Sequence, residues 1–241
     1  MESVSYRGVD GSVWPLTEWA HRGVFLKEGA LELSPGEDDG SGLSGALSLV
    51  VADNAPDGAE LAPIDETMQQ WRRAWSPRLF GSLVVRGAQE AAETWARVRL
   101  AAPIPDLTVI DPEGFEEFEQ QAVAESRRWL RTEALPGPEV IVFNGGVGDV
   151  WPRVRWQAGG VLVFPSGARV ELPTVEAPRT VWLDPGLGCV VVGDDGERDV
   201  GLWRLLRGRV FPEVVPPGEG RLFRVPEGAV VSWEWEVDDP L

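Results

Sequence analysis

Residues 139–156 read EVIVFNGGVGDVWPRVRW, and how this stretch is read decides the fold. Val140–Phe143 is a short apolar run with strand character. Asn144-Gly145-Gly146 is a turn signal, because Asn and Gly tolerate positive φ. Trp151-Pro152 follows, and proline drives the residue before it out of helical conformation. From Arg153 a strand pattern resumes. The chain's two helix-like stretches lie upstream of this joint, and nothing downstream reads as a long helix. The joint is therefore expected to open a C-terminal all-β domain.

Downstream, short β runs recur at Arg153–Gln157, Val161–Phe164, Arg169–Leu172, Thr180–Leu183, Cys189–Val192, Gly220–Val225 and Val230–Val237. Gly159-Gly160, Ser166-Gly167 and Asp194-Asp195-Gly196 supply turns. With Val140–Phe143 that makes about eight strands at roughly ten-residue spacing, the pattern of a β-sandwich or jelly roll. Val200–Leu206 reads as a short helical turn. Pro136-Gly137-Pro138 marks the expected boundary, giving an N-terminal domain over 1–137 and a C-terminal domain over 138–241.

Upstream, Gly23–Lys27 and Ala30–Leu33 flank Glu28-Gly29 like the arms of a hairpin. Ala46–Ala52, Leu79–Arg86 and Thr94–Leu100 read as further strands. Pro63–Trp75 is the clearest helix: proline near its start, acids in its first turn, arginines near its end. Ile64, Met68, Trp71 and Trp75 fall on one face, which predicts packing of both tryptophans onto a sheet. Phe115–Thr132 is ambiguous. Its composition favours helix, yet Phe118, Gln120, Ala122 and Ala124 alternate as on a strand.

Net charge is −17 and Lys27 is the sole lysine. Such an acidic chain is opposed to non-specific nucleic-acid binding, which needs Lys and Arg against phosphate. No apolar run is long enough for a membrane span, and residues 1–11 lack the pattern of a secretory signal. A soluble protein made in the cytoplasm is the expectation. One cysteine, Cys189, excludes an intrachain disulfide and a thiolate metal cluster. It is expected to be a small buried hydrophobe.

The search for chemistry assigns no catalytic, cofactor-binding or metal-binding residue. His21 has no histidine or cysteine partner that would make a dyad or a zinc site. The Gly145–Val150 loop lacks the lysine of a phosphate loop and no helix follows it. Glu37-Asp38-Asp39 and Asp194-Asp195 lack calcium-loop spacing and read as solvated loops. Glu116, Glu117 and Glu119 stand out little among 39 acidic residues. The unusual feature is twelve tryptophans. Trp233 and Trp235 alternate with Glu234 and Glu236, so core or subunit contact is expected of them, with sugar stacking as the other reading.

The order of short motifs carries more than any one of them. FNGGVGDVWPRVRW, VLVFPSGARVELP, TVWLDPGLGCVVV and VVSWEWEV succeed one another, with Gly208–Pro212 and Pro216–Gly218 before the last. This series resembles the C-terminal half of siphophage distal tail proteins, the minor tail proteins of phages that infect actinobacteria. Asn144-Gly145, Trp151-Pro152, Asp184-Pro185 and Val231–Trp233 are the matching positions. Val9–Leu16 resembles the family's opening hairpin, and Glu119–Trp129 lies where the family has a strand ending in an aromatic.

The resemblance implies a mainly β protein with an N-terminal β-rich belt domain carrying one helix and a C-terminal galectin-like β-sandwich. It implies a structural virion protein, not an enzyme, without cofactors. Its copies would close a ring, expected to be a hexamer, at the distal end of the phage tail. Its partners would be itself, the tail tube protein, the baseplate hub and other minor tail proteins, with no membrane and no specific nucleic acid. A lumen lined by acidic residues would let the genome slide without sticking. The alternative is a carbohydrate-binding β-sandwich that recognises host cell-wall glycan.

Overall fold

The computed structural model describes residues 3–18, 22–35, 42–55, 58–87, 93–107, 115–238 and 240. The chain is mainly β and divides into two compact units, Met1–Trp129 with Asp238–Leu241, and Leu130–Val237. The sequence places the border at residue 137, eight residues later than this division. Strand pairing is the reason. The strand that runs into Pro136 hydrogen-bonds to the last strand of the second unit, and this outweighs the Pro-Gly-Pro punctuation.

Unit 1 contains β1 (Ser3–Arg7), β2 (Val13–Pro15), β3 (Val24–Pro35), β4 (Leu43–Ala52), α1 (Ile64–Ala74), β5 (Gly81–Arg86), β6 (Glu93–Leu100) and β7 (Phe115–Ala124). These strands pair antiparallel in the order β3-β4-β7-β6-β5-β1-β2. Just past β2, the Leu16 carbonyl accepts from Leu26 N–H of β3 at 2.7 Å, which draws the two ends of that order together.

Two readings are resolved here. The hairpin expected at Glu28-Gly29 is one strand, β3. Between Leu26 and Leu31 its pairing with β4 slips, five residues of β3 advancing against two of β4. This is a bulge, and Gly29 at φ +71° supplies the left-handed turn it needs. The ambiguous Phe115–Thr132 is strand only to Ala124; a bend follows, and a new strand starts at Trp129. Phe118, Gln120, Ala122 and Ala124 are all buried, so two-residue alternation prevails over helix propensity. In β6 the buried face is Thr94, Ala96 and Val98, which puts Trp95 on the opposite face.

Helix α1 buries Ile64, Met68 and Trp71 as its spacing predicts, and Ala74 beside them. Trp75 lies just past the helix in extended conformation, yet it is buried as well. Tyr6 stacks on Trp75 with centroids 3.9 Å apart, while Trp14 meets Trp71 edge-on at 5.0 Å. Such pairs contribute about 0.5–1.5 kcal/mol beyond the area they bury. Trp71 Nε1 donates to Gln120 Oε1 on β7 at 2.7 Å, and Tyr6 Oη donates to the Ala74 carbonyl at 3.0 Å. These bonds fix the helix on the sheet. Burial also pushes the Tyr6 phenol well above its ordinary pKa.

Unit 2 is a β-sandwich. Its elements are β8 (Trp129–Pro136), β9 (Glu139–Phe143), β10 (Arg153–Trp156), β11 (Gly160–Val163), β12 (Arg169–Leu172), β13 (Arg179–Trp182), β14 (Val191–Gly193), α2 (Val200–Leu206), β15 (Gly220–Arg224) and β16 (Val230–Val237). One sheet runs β14-β13-β10-β16-β8 and the other β12-β11-β15-β9. Inward residues of both, among them Val142, Val154, Leu162, Val181, Phe223 and Trp233, form one buried core. Alternation along each strand builds that core and turns the intervening residues outward.

Candidate interaction surface

The joint that opens unit 2 is held by Asn144, which is wholly buried. Its side-chain amide donates to the Gly148 and Val215 carbonyls at 2.8 and 2.7 Å, and its Oδ1 accepts from Gly146 N–H at 2.9 Å. The glycine-rich loop is thus a structural turn wrapped around one asparagine. Trp233 Nε1 donates to the Phe143 carbonyl at 2.9 Å, which ties the last strand to the same joint.

The other residues singled out in the sequence go to scattered places. His21 and Glu37-Asp38-Asp39 lie outside the described residues. Glu117 pairs with Lys27 at 2.7 Å on an exposed part of the unit 1 sheet. Asp194 accepts from Arg155 at 2.7 Å, which holds its carboxyl below the usual range. Asp195 caps its own turn, accepting from Glu197 N–H at 2.9 Å. Cys189 departs from expectation. It is half-buried, precedes β14 and sits at φ 51° in the left-handed region. Desolvation pushes its thiol up, so it is a poor nucleophile. Among the described residues no group of three or more His, Cys, Asp or Glu converges on a metal position. No described helix is long and apolar enough to cross a membrane.

Trp233 and Trp235 stack at 6.2 Å and are buried, so neither offers a face to a sugar. On the outward side of the five-stranded sheet, Arg153 lies 3.7 Å over the Trp182 ring and pairs with Glu234 at 2.8 Å.

The outward side of the four-stranded sheet is different, because it leaves large apolar side chains uncovered. Ile141 is 63% exposed, Phe143 52%, Val161 49% and Leu222 36%. Ile141 and Leu222 are direct cross-strand neighbours, and Phe143 stands opposite Gly220. A contiguous apolar group of this kind, with the Arg224–Glu139 pair at its margin, marks a contact surface. Beside it lies a groove of about 510 Å³ between the end of β11 and β15, lined by Phe164, Ser166, Glu213, Leu222 and neighbours. Sequence reasoning missed both features. Ile141 and Phe143 look like any alternating strand until it is known that nothing within the unit covers their side.

No protein-family model matches the sequence, and no curated protein matches it. Solved structures do. The Dit protein of phage SPP1, described as a paradigm of the hub adsorption apparatus in phages infecting Gram-positive bacteria, aligns at TM-score 0.48 and 10% identity over 98% of this chain and 99% of its own. A chain of the phage P2 baseplate in its calcium-activated conformation aligns at 0.49 and 11% identity over 99% of both chains. A chain of the phage p2 baseplate activated with strontium aligns at 0.50 and 10% identity, again over 99% of both. At this identity the likeness is one of architecture: from end to end, this chain shares the fold of a phage baseplate component.

Proposed function

We propose that the chain is a structural component of a phage tail tip, a distal tail protein whose copies close a ring between the tail tube and the baseplate. The observation that supports this best is the fold shared with a phage baseplate chain over 99% of both lengths. The order of turn motifs from Asn144 to Trp233 supports it independently. In this reading unit 1 supplies the belt, expected to be hexameric. Unit 2, read as galectin-like, projects outward and holds other tail proteins through the apolar side around Ile141 and Phe143. A closed ring requires a head-to-tail interface whose rotation returns to its start. The net charge of −17 suits a passage for DNA, since like charge avoids phosphate binding. The role is mechanical, with no reaction to perform.

The cell-wall glycan reading loses its main support, because the tryptophan pair it relied on is buried. Light scattering across a range of concentrations tests the ring. A species near six times the 26.3 kDa chain mass is expected. A strict monomer, together with antibody label anywhere but the tail tip of intact virions, would sink the proposal.

A further inference from the structure

Strands β11 and β15 meet at a single register pair, Val163 with Arg224. Carried two residues on, that register sets Leu222 opposite Pro165. Proline has no N–H to give, and the ladder stops there. The alternation of β15 is set by its bonds to β9: Asn144 N–H donates to the Glu219 carbonyl at 3.0 Å, and Val225 N–H to the Pro138 carbonyl at 2.9 Å. Residues 219, 221, 223 and 225 therefore face β9, and Gly220 and Leu222 turn their N–H and C=O groups toward the groove. No backbone group of β11 pairs with them. The result is a short open strand edge inside a sheet.

Glu213 lies against this edge. It is only 8% exposed, yet its one hydrogen bond is from the Ser166 hydroxyl, and no described cation comes within ion-pair distance. A carboxylate has about four acceptor positions, and a buried one without a counter-charge is costly. The arginines nearby are already engaged, Arg221 with Glu219 and Arg224 with Glu139. Of the four charged residues lining the groove, Glu213, Glu219, Arg221 and Arg224, Glu213 is the one outside an ion pair, and it lies beside a row of strand donors and acceptors.

We propose that this groove receives an extended basic segment of a partner polypeptide, which pairs with the Gly220 and Leu222 edge and sets a Lys or Arg against Glu213. Strand addition to an open edge uses main-chain bonds for affinity and side-chain pockets for specificity. Here Val163, Phe164 and Leu222 form the apolar wall and Glu213 the charged pocket. A volume of about 510 Å³ falls within the usual range for ligand sites. The charge of −17 opposes a second copy of this chain as occupant and favours a basic partner. A sugar hydroxyl would satisfy Glu213 but leaves the two-residue spacing of the open edge without a role. The inference rests on the tail-tip reading only for the premise that the chain works among other polypeptides.

The test is amide NMR on the full-length protein with a capped Thr-Val-Arg-Val-Thr peptide. The Gly220 and Leu222 amides are expected to shift and to exchange about tenfold more slowly at saturation. The peptide with glutamate at its centre, and the Glu213→Gln protein with the original peptide, should each bind about tenfold more weakly, which is 1.4 kcal/mol. A peptide N-methylated at both valines should fail to bind, and this arm needs no variant that might misfold. Unmoved amides at millimolar peptide, or equal binding of the arginine and glutamate peptides, would overturn the proposal. So would a shift produced only by an N-acetylglucosamine disaccharide, which gives the groove to glycan. Self-association abolished by Glu213→Gln would give it to a second copy. Virion labelling away from the tail tip would leave the peptide result standing, and a failed peptide would leave the ring standing.

Discussion

In unit 1 the rings of Tyr6, Trp14, Trp71 and Trp75 touch one another, whereas in unit 2 three tryptophans each reach for a backbone carbonyl. Trp156 Nε1 donates to Pro173 at 3.0 Å, Trp203 Nε1 to Gly188 at 3.1 Å and Trp233 Nε1 to Phe143 at 2.9 Å. The same residue type therefore does two jobs. In unit 1 helix α1 and its C-terminal end bring Trp71 and Trp75 against Tyr6 of β1 and Trp14 of β2, and their mutual contacts hold helix to sheet. In unit 2 the indoles tie β10 to the loop at Pro173, α2 to the loop at Gly188 and β16 to β9, so cohesion is spread around the sandwich. A fault in the first arrangement removes a whole cluster; a fault in the second loosens one joint.

This contrast can be broken experimentally. Trp71→Ala should have the largest effect, costing unit 1 about 3–5 kcal/mol, as expected for a large aromatic cut from a core. It strands the Gln120 amide, whose Nε2 already lacks a partner. Hydrogen exchange resolved by residue should show β1, β5 and β7 deprotected together while the unit 2 core keeps its protection. Equal loss in both units would show that they do not fold separately.

Asn144→Ala should come next, at about 2–3 kcal/mol. It removes three hydrogen bonds, unpairs Gly146 N–H from its acceptor and leaves the buried Val215 carbonyl with Val150 N–H as its remaining donor. Chemical denaturation should show the loss, and exchange should place it at β9, β15 and the loop between Gly145 and Val150. A deprotection confined to unit 1 would refute the role given to this side chain.

Asp199→Ala should cost about 1 kcal/mol at neutral pH through loss of a helix cap. Asp199 accepts from Leu202 N–H at 2.9 Å and from Arg179 at 2.9 Å, and these bonds hold its carboxyl below the ordinary range. The sign follows: a depressed folded-state pKa stabilises above the unfolded pKa, and the gain disappears as pH falls through the folded value. Wild type and variant should therefore converge in acid. A gap that widens below pH 4 would contradict the assignment.

The smallest effect is expected from Arg155→Ala. Its partner Asp194 is solvent-exposed, so the pair should leave the unfolding midpoint unchanged within error.

Much of this molecule is legible in the sequence for identifiable reasons. The face of α1 is visible because Ile64, Met68 and Trp71 repeat at helical spacing. Strands β12 and β16 appear at the bounds read from the sequence, Arg169–Leu172 and Val230–Val237, because glycine, aspartate or proline brackets alternating residues. The hairpin read at Glu28-Gly29 shows the limit. A glycine that permits a turn equally permits a bulge, and only the partner strand β4 decides between them. Asn144 was read as a turn residue, and its three bonds include one to Val215, 71 positions away.

The candidate surface was least legible. Ile141 and Phe143 alternate with Val140 and Val142, and both sets are apolar, so periodicity assigns neither to the interior. Glu213 is one carboxylate among 39 until its burial and its lack of a cation are seen. By itself the sequence determined the β content, the one long helix and the position of most turns, because these depend on residues a few positions apart. Only the tertiary structure decided the unit border, the bulge in β3 and the open edge at Leu222. Each of those depends on which distant backbone group arrives to accept or donate a hydrogen bond, and no local pattern encodes that.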